Sequence, residues 1–154
     1  MNWVDIEADI FWYTIQGKTG KLIEWLEAQG LKTYQLKNDE LSHKVRATKP
    51  FVMIVPTILR DDIQECVPVP VQNFLACDER DNVNNLRAIG SSGNRNYGRF
   101  FAMAGRVLSQ EHKRAWYRYE GIGDDVEREE LLAFFIKALH GETIEVDSEG
   151  LVVI

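Results

Sequence analysis

Cysteine is scarce in this 154-residue chain: two residues, Cys66 and Cys77, at a spacing that matches neither a C-x-x-C redox pair nor a zinc site. Three histidines, His43, His112 and His140, lie far apart and form no metal-ligand pattern. Apolar runs such as Phe51 to Pro56 fall far below the roughly 20 residues of a membrane-spanning helix. The first residues, Met1 to Glu7, lack the basic start and apolar centre of an export signal. Basic residues are outnumbered 18 to 24, giving a net charge of −6. That balance argues against a nucleic-acid or anionic-membrane partner. A cytoplasmic protein with reduced thiols is expected.

What remains is ordinary for a folded domain: 45% hydrophobic, 10% aromatic and 27% charged residues. One domain over residues 1–154 is expected. Short apolar runs alternate with amphipathic segments, the mark of βαβ units. Strands are predicted at 8–13, 31–36, 51–55, 86–89 and 115–119. Helices are predicted at 18–29, near 68–75, at 97–112 and at 124–140. Residues 37–49 read as polar loop. The run Phe51-Val52-Met53-Ile54-Val55 has the composition of a central parallel strand buried on both faces. The predicted class is α/β: a flavodoxin-like doubly wound, five-stranded parallel sheet of order 2-1-3-4-5 in a three-layer arrangement. Its ligands bind at the carboxyl ends of the strands, so loops 14–19, 56–66 and 90–98 become the candidate site.

The first loop, Thr14-Ile15-Gln16-Gly17-Lys18-Thr19, contains Gly-Lys-Thr but has Trp12 where a P-loop needs its leading glycine. A nucleoside triphosphatase is therefore excluded. A helix N-terminus beside Lys18 can instead take one phosphate, or Thr14 can simply cap the helix. Gly121-x-Gly123 lacks the rest of a dinucleotide fingerprint and reads as a turn. The third strand ends Val55-Pro56-Thr57, without the phosphoacceptor aspartate of a response regulator. The third loop, Gly90 to Gly98, combines glycines, small polar groups and Tyr97. Glycine admits a flat ligand, Asn amides can meet its polar edge, and tyrosine can stack on it. A flat heteroaromatic carrying one phosphate is flavin mononucleotide (FMN).

Gly93-Asn94-Arg95-Asn96-Tyr97-Gly98 resembles the G-N-R-N-aromatic-G signature of the NrdI family, flavodoxin-like partners of class Ib ribonucleotide reductase. Val67-Pro68-x-x-Val71-x-x-Phe74-Leu75, Pro56-Thr57 and Tyr119-Glu120 with Gly123 resemble three further family segments in the same order. The resemblance spans about residues 8–140 and implies FMN as cofactor. It implies a phosphate site at Thr14, Gln16, Gly17, Lys18 and Thr19. The flavin ring would lie between Thr57 and Ile58 on one side and Ser92, Gly93, Asn94 and Tyr97 on the other, with Gly123 nearby. It further implies a redox accessory protein rather than a stand-alone enzyme. Fed by a flavin reductase, such a protein passes a superoxide-type oxidant to the dimanganese radical subunit of the reductase. No acid–base catalytic residue and no protein-held metal are expected, because the flavin carries the chemistry.

The chain departs from the family pattern in three places. Gln16 and Lys18 replace smaller polar residues, and Ile58 to Cys66 contains no glycine or aromatic residue. That loop keeps a second reading open: a diverged interaction module with weak or no FMN binding. An acidic tail, 142–154, extends past the resemblance and reads as a β-hairpin that packs on the domain edge or docks on a partner. Eight of ten arginines fall in residues 78–154. Arg99 and Arg106 are expected on one helical face, either as an interface or as a solvated surface. The acids at 124–130 read as dipole matching on a solvated helix face.

Overall fold

The computed structural model describes residues 2–15, 17–37, 40–58 and 66–154. The main sheet contains β2 (Ile10–Trp12), β3 (Thr33–Gln35), β5 (Phe51–Pro56), β6 (Leu86–Gly93) and β7 (Ala115–Glu120). Its order is β3-β2-β5-β6-β7 and every pairing is parallel. Counting these five strands alone, this is the expected 2-1-3-4-5 order. Helices α1 (Thr19–Ala28) and α5 (Asp125–Leu139) cover one face. Helices α2 (Val69–Phe74) and α4 (Met103–His112) cover the other, with a one-turn α3 (Asn82–Asn85) before β6.

Strand β5 shows why the layers form. All six of its residues are buried. Phe51, Met53 and Val55 enter the core under α2 and α4, and Val52 and Ile54 enter the core under α1 and α5. Period-two alternation thus sends apolar side chains to both faces, which only a central strand between two helix layers can satisfy. On the first face Phe11 stacks on Phe74 at 4.7 Å and meets Phe51 edge-on at 5.0 Å.

Four expectations are corrected. Residues 37–49 are not all loop: a 3-10 turn (Glu40–His43) leads into β4 (Val45–Ala47), which pairs in parallel with β1 (Val4–Ile6) as a separate small sheet. The polar composition hid these short strands. Strand β6 runs four residues further than predicted, because Gly90 to Gly93 continue the ladder to β5 and β7. These glycines answer packing needs: a Cβ on Gly90 would meet Leu131 and Phe135 at 3.0 Å, and one on Gly93 would lie 2.5 Å from the Ala102 nitrogen. The helix predicted over 97–112 is broken. Arg95–Phe100 is a 3-10 turn kinked at Gly98, and Ala102 is left-handed (φ 55°) before α4 begins. Arg99 and Arg106 therefore do not share one helix.

The tail folds back on the free edge of β7. Trp116 N donates to Gly150 O at 3.1 Å, Val152 N donates to Trp116 O at 2.9 Å, and Val146 bridges Val152 in antiparallel fashion. Arg106 pairs with Glu149 at 3.2 Å, and the Trp116 indole donates to Glu149 O at 3.1 Å. An edge strand's open polar groups are thereby covered. Both cysteines are free, Cys66 buried and Cys77 exposed. Among the described residues no helix is long and apolar enough to cross a membrane.

Candidate functional site

A cleft of about 430 Å³ opens at the carboxyl ends of β2, β5 and β6. It is the point where the connections leaving β2 and β5 run to opposite faces of the sheet, as the doubly wound fold dictates.

The phosphate-loop side is built from the exit of β2. The Thr14 hydroxyl accepts the Gly17 N–H at 3.0 Å, and Gly17 itself is left-handed (φ 77°). Thr14 therefore closes the turn and does not cap α1. The helix starts with no side-chain cap. Gly20 and Lys21 in the first turn of α1 donate to the Gly17 and Lys18 carbonyls over a long 3.3 and 3.4 Å, and Lys18 and Thr19 reach the cleft. An uncapped helix start beside a lysine is an anion site in waiting.

The opposite walls come from β5 and β6. Pro56, Thr57 and Ile58 form one, and Ser92, Gly93, Asn94, Tyr97 and Phe100 form the other. Asn94 caps its own turn, its side-chain oxygen accepting the Asn96 N–H at 2.9 Å. That leaves Tyr97 standing 53% exposed at the cleft mouth, an aromatic face unpaired by the chain's own core. Below this wall the Tyr119 hydroxyl is fully buried, with the Ser92 hydroxyl beside it but no bond of good geometry completed. Burial holds that phenol far above its ordinary pKa, so it stays neutral.

Of the sequence-derived residues, Thr14, Lys18, Thr19, Thr57, Ile58, Ser92, Gly93, Asn94 and Tyr97 line one cleft, and Gly17 shapes its turn. Gln16 and loop residues 59–65 lie outside the described residues. Gly123 does not line the cleft. Its N–H donates to Glu120 O in the turn before α5, and the lining residue there is Gly121, whose N–H donates to Gly93 O at 3.3 Å. Ile15, Pro56, Phe100 and Gly121 were missed. Pro56 and Gly121 sit at strand ends, the one signal that could have found them.

The arginines near the loop are mostly engaged. Arg95 binds Glu120 at 3.2 Å and Glu127 at 2.9 Å, Arg99 lies over the Phe100 ring at 4.8 Å, and Arg106 takes Glu149. The acids at 124–130 are likewise not one solvated face. Glu127 forms a capping box with Asp124, and its side chain is only 11% exposed.

The family profile described as "NrdI Flavodoxin like" matches residues 10–131. That span opens on the first residue of β2 and ends inside α5, so it includes all five strands of the main sheet and every described residue of the cleft. The protein NrdI of Ruegeria sp. (strain TM1040) is 33% identical over 119 residues, covering 77% of this chain and 80% of that one. The protein NrdI of Bifidobacterium animalis subsp. lactis (strain AD011) is 27% identical over 137 residues, covering 84% and 96%. A solved short-chain flavodoxin associated with a non-canonical PDU bacterial microcompartment superposes with a TM-score of 0.56 at 14% identity, over 90% of this chain and 99% of that one, and shares the fold. Fold, motif order and sequence identity agree: the chain belongs to the NrdI flavodoxin-like family.

Proposed function

We propose that the chain binds FMN in this cleft and acts as the redox partner of the dimanganese radical subunit of a class Ib ribonucleotide reductase. One observation carries the reading. An uncapped helix start with Lys18 lies at one end of a cleft whose far walls are the Thr57–Ile58 and Ser92–Tyr97 segments. That donor set fits a ligand with one phosphate and one flat ring. FMN binding is a property of the flavodoxin-like NrdI family.

In this reading the positive end of the α1 dipole, the Thr14 and Thr19 hydroxyls and the Lys18 ammonium hold the phosphate dianion. Gly17 shapes that turn. Thr57 and Ile58 bound one face of the ring. Ser92, Gly93 and Asn94 border its polar edge, and Tyr97 stacks on it. When bound and reduced by a flavin reductase, FMN supplies electrons to dioxygen, giving a superoxide-type oxidant for the partner's dimanganese site. The chain's own task is to hold, orient and partly screen the ring.

The test is reconstitution. FMN-loaded, reduced protein is mixed with the dimanganese subunit and dioxygen, and the partner's tyrosyl radical is read by electron paramagnetic resonance. Radical formation that depends on this protein supports the proposal. Radical yield no higher than with free FMN overturns the oxidant role.

A further inference from the structure

Arg95 belongs to the loop that walls the cleft, yet it does not line it; the guanidinium turns away, toward the start of α5. Its Nη2 donates to Glu127 Oε2 at 2.9 Å, its Nη1 to Glu120 Oε1 at 3.2 Å, and its own N–H to Glu120 Oε2 at 2.9 Å. The Phe101 ring lies under the same guanidinium at 5.2 Å. One residue thus fastens the 94–98 segment by its backbone, its side-chain fork and a ring face.

Glu127 is the anchor at the other end. Its Oε1 accepts the Asp124 N–H at 3.2 Å, and its own N–H donates to Asp124 Oδ1 at 2.8 Å. Its Oε2, besides Arg95, is approached by the Glu120 N–H at 3.4 Å. Three residues (Arg95 of the 94–98 loop, Glu120 at the end of β7 and Asp124 at the start of α5) meet on the Glu127 carboxylate. The nearby turn also carries Gly121 into the cleft lining. Asn94, Arg95, Asn96, Tyr97, Gly98 and Arg99 are all exposed.

We infer that Arg95 and Glu127 form a latch that sets the position of the Asn94–Tyr97 wall, and with it the fit of the flat ligand in the cleft. Both are positioning residues; neither touches the ligand. An exposed arginine pair contributes little by itself. This one is anchored on a largely buried carboxylate and forks to two acids, the geometry in which charge-assisted bonds fix orientation. Only the affinity part of the inference rests on the FMN reading; the loop position does not.

The test uses Arg95→Ala, Arg95→Lys and Glu127→Gln in the full chain. The first readout is amide hydrogen exchange of residues 95–98 without flavin, with α1 as internal control. In Arg95→Ala, exchange at 95–98 rises roughly tenfold while α1 is unchanged, the size expected for loss of a charge-assisted bond. Affinities for FMN and riboflavin fall together, since the ring side is disturbed and the phosphate side is not. The visible circular dichroism of bound flavin changes, because Tyr97 has moved. Arg95→Lys recovers part of each effect. Arg95→Ala combined with Glu127→Gln is no worse than Arg95→Ala alone, because the two act as one unit. Unchanged exchange at 95–98 in Arg95→Ala and in Glu127→Gln, or losses that simply add, overturns the latch. If the wild-type protein takes up no FMN, the proposed function falls and the exchange result alone decides the latch.

Discussion

The Thr57 hydroxyl accepts the backbone N–H of Ala104 at 3.1 Å, across 47 residues of sequence. Helix α4 has no capping side chain of its own, because its N-cap position is the left-handed Ala102. Thr57 therefore fastens the first turn of α4 to the exit of β5 while its other side borders the cleft. Replacing it with valine leaves a partly buried amide without its partner and is expected to cost about 1 kcal/mol of stability. A fall in urea midpoint for Thr57→Val, restored by Thr57→Ser, is the check.

The close approaches at β6 make a second prediction. A Cβ on Gly93 would lie 2.5 Å from the Ala102 nitrogen, and one on Gly105 would lie 2.5 Å from Ser91 Cβ and 2.7 Å from the Trp116 ring. Backbone and packed ring cannot step aside cheaply. Gly93→Ala and Gly105→Ala should each lose roughly 1–3 kcal/mol, the usual range for overpacking. Gly20, with nothing within 4 Å of the added atom, is the matched control and should tolerate alanine. Thermal or urea unfolding of the three variants separates them.

His112 gives a pH dependence with a defined sign. Its side chain is only 9% exposed. Burial lowers its pKa below the ordinary 6.5; Glu111 opposes the shift and Arg114 adds to it. The unfolded chain therefore binds the proton more readily than the folded one. This group's contribution is fully present above pH 6.5 and is lost as pH falls through that value toward the depressed folded pKa. The urea midpoint should drop between pH 7.5 and about 5.5, and His112→Gln should flatten that part of the profile. An unchanged slope in the variant would assign the dependence to other groups.

Much of this architecture was legible because its signals are local. The run Phe51 to Val55 has the composition of a central strand and forms one, buried along its whole length. The same kind of reasoning misread Gly90 to Gly93 as loop, since glycine signals a turn and close packing alike. The unbroken helix predicted at 97–112 failed for a related reason: nothing local announces that Ala102 turns left-handed against Gly93. Within the site, the polar residues and Tyr97 that line the cleft followed from their chemistry, whereas the apolar Ile15 and Phe100 did not. Neither did Glu127. Its role depends on Arg95, 32 residues earlier, and a carboxylate in a first helical turn looks the same in sequence whether it faces water or a guanidinium.

Lys18 separates the two ends of the proposed ligand. Lys18→Ala removes the ammonium from the phosphate end and leaves the Thr57 and Tyr97 walls intact. FMN affinity should fall roughly tenfold, as for loss of one charge-assisted contact, with riboflavin affinity unchanged. Parallel titrations of the two flavins check it. Equal losses for both would mean that Lys18 acts on the loop's shape and not on the phosphate.

The central claim is that this cleft holds FMN, and a direct equilibrium titration tests it. Flavin fluorescence is followed as wild-type protein and Tyr97→Ala are added to FMN. The account predicts saturable one-to-one quenching by the wild type, with a shifted visible absorption band, and distinctly weaker binding by Tyr97→Ala. Wild-type protein that leaves FMN fluorescence and absorption unchanged up to millimolar concentration would contradict the account and favour a diverged interaction module on the same fold.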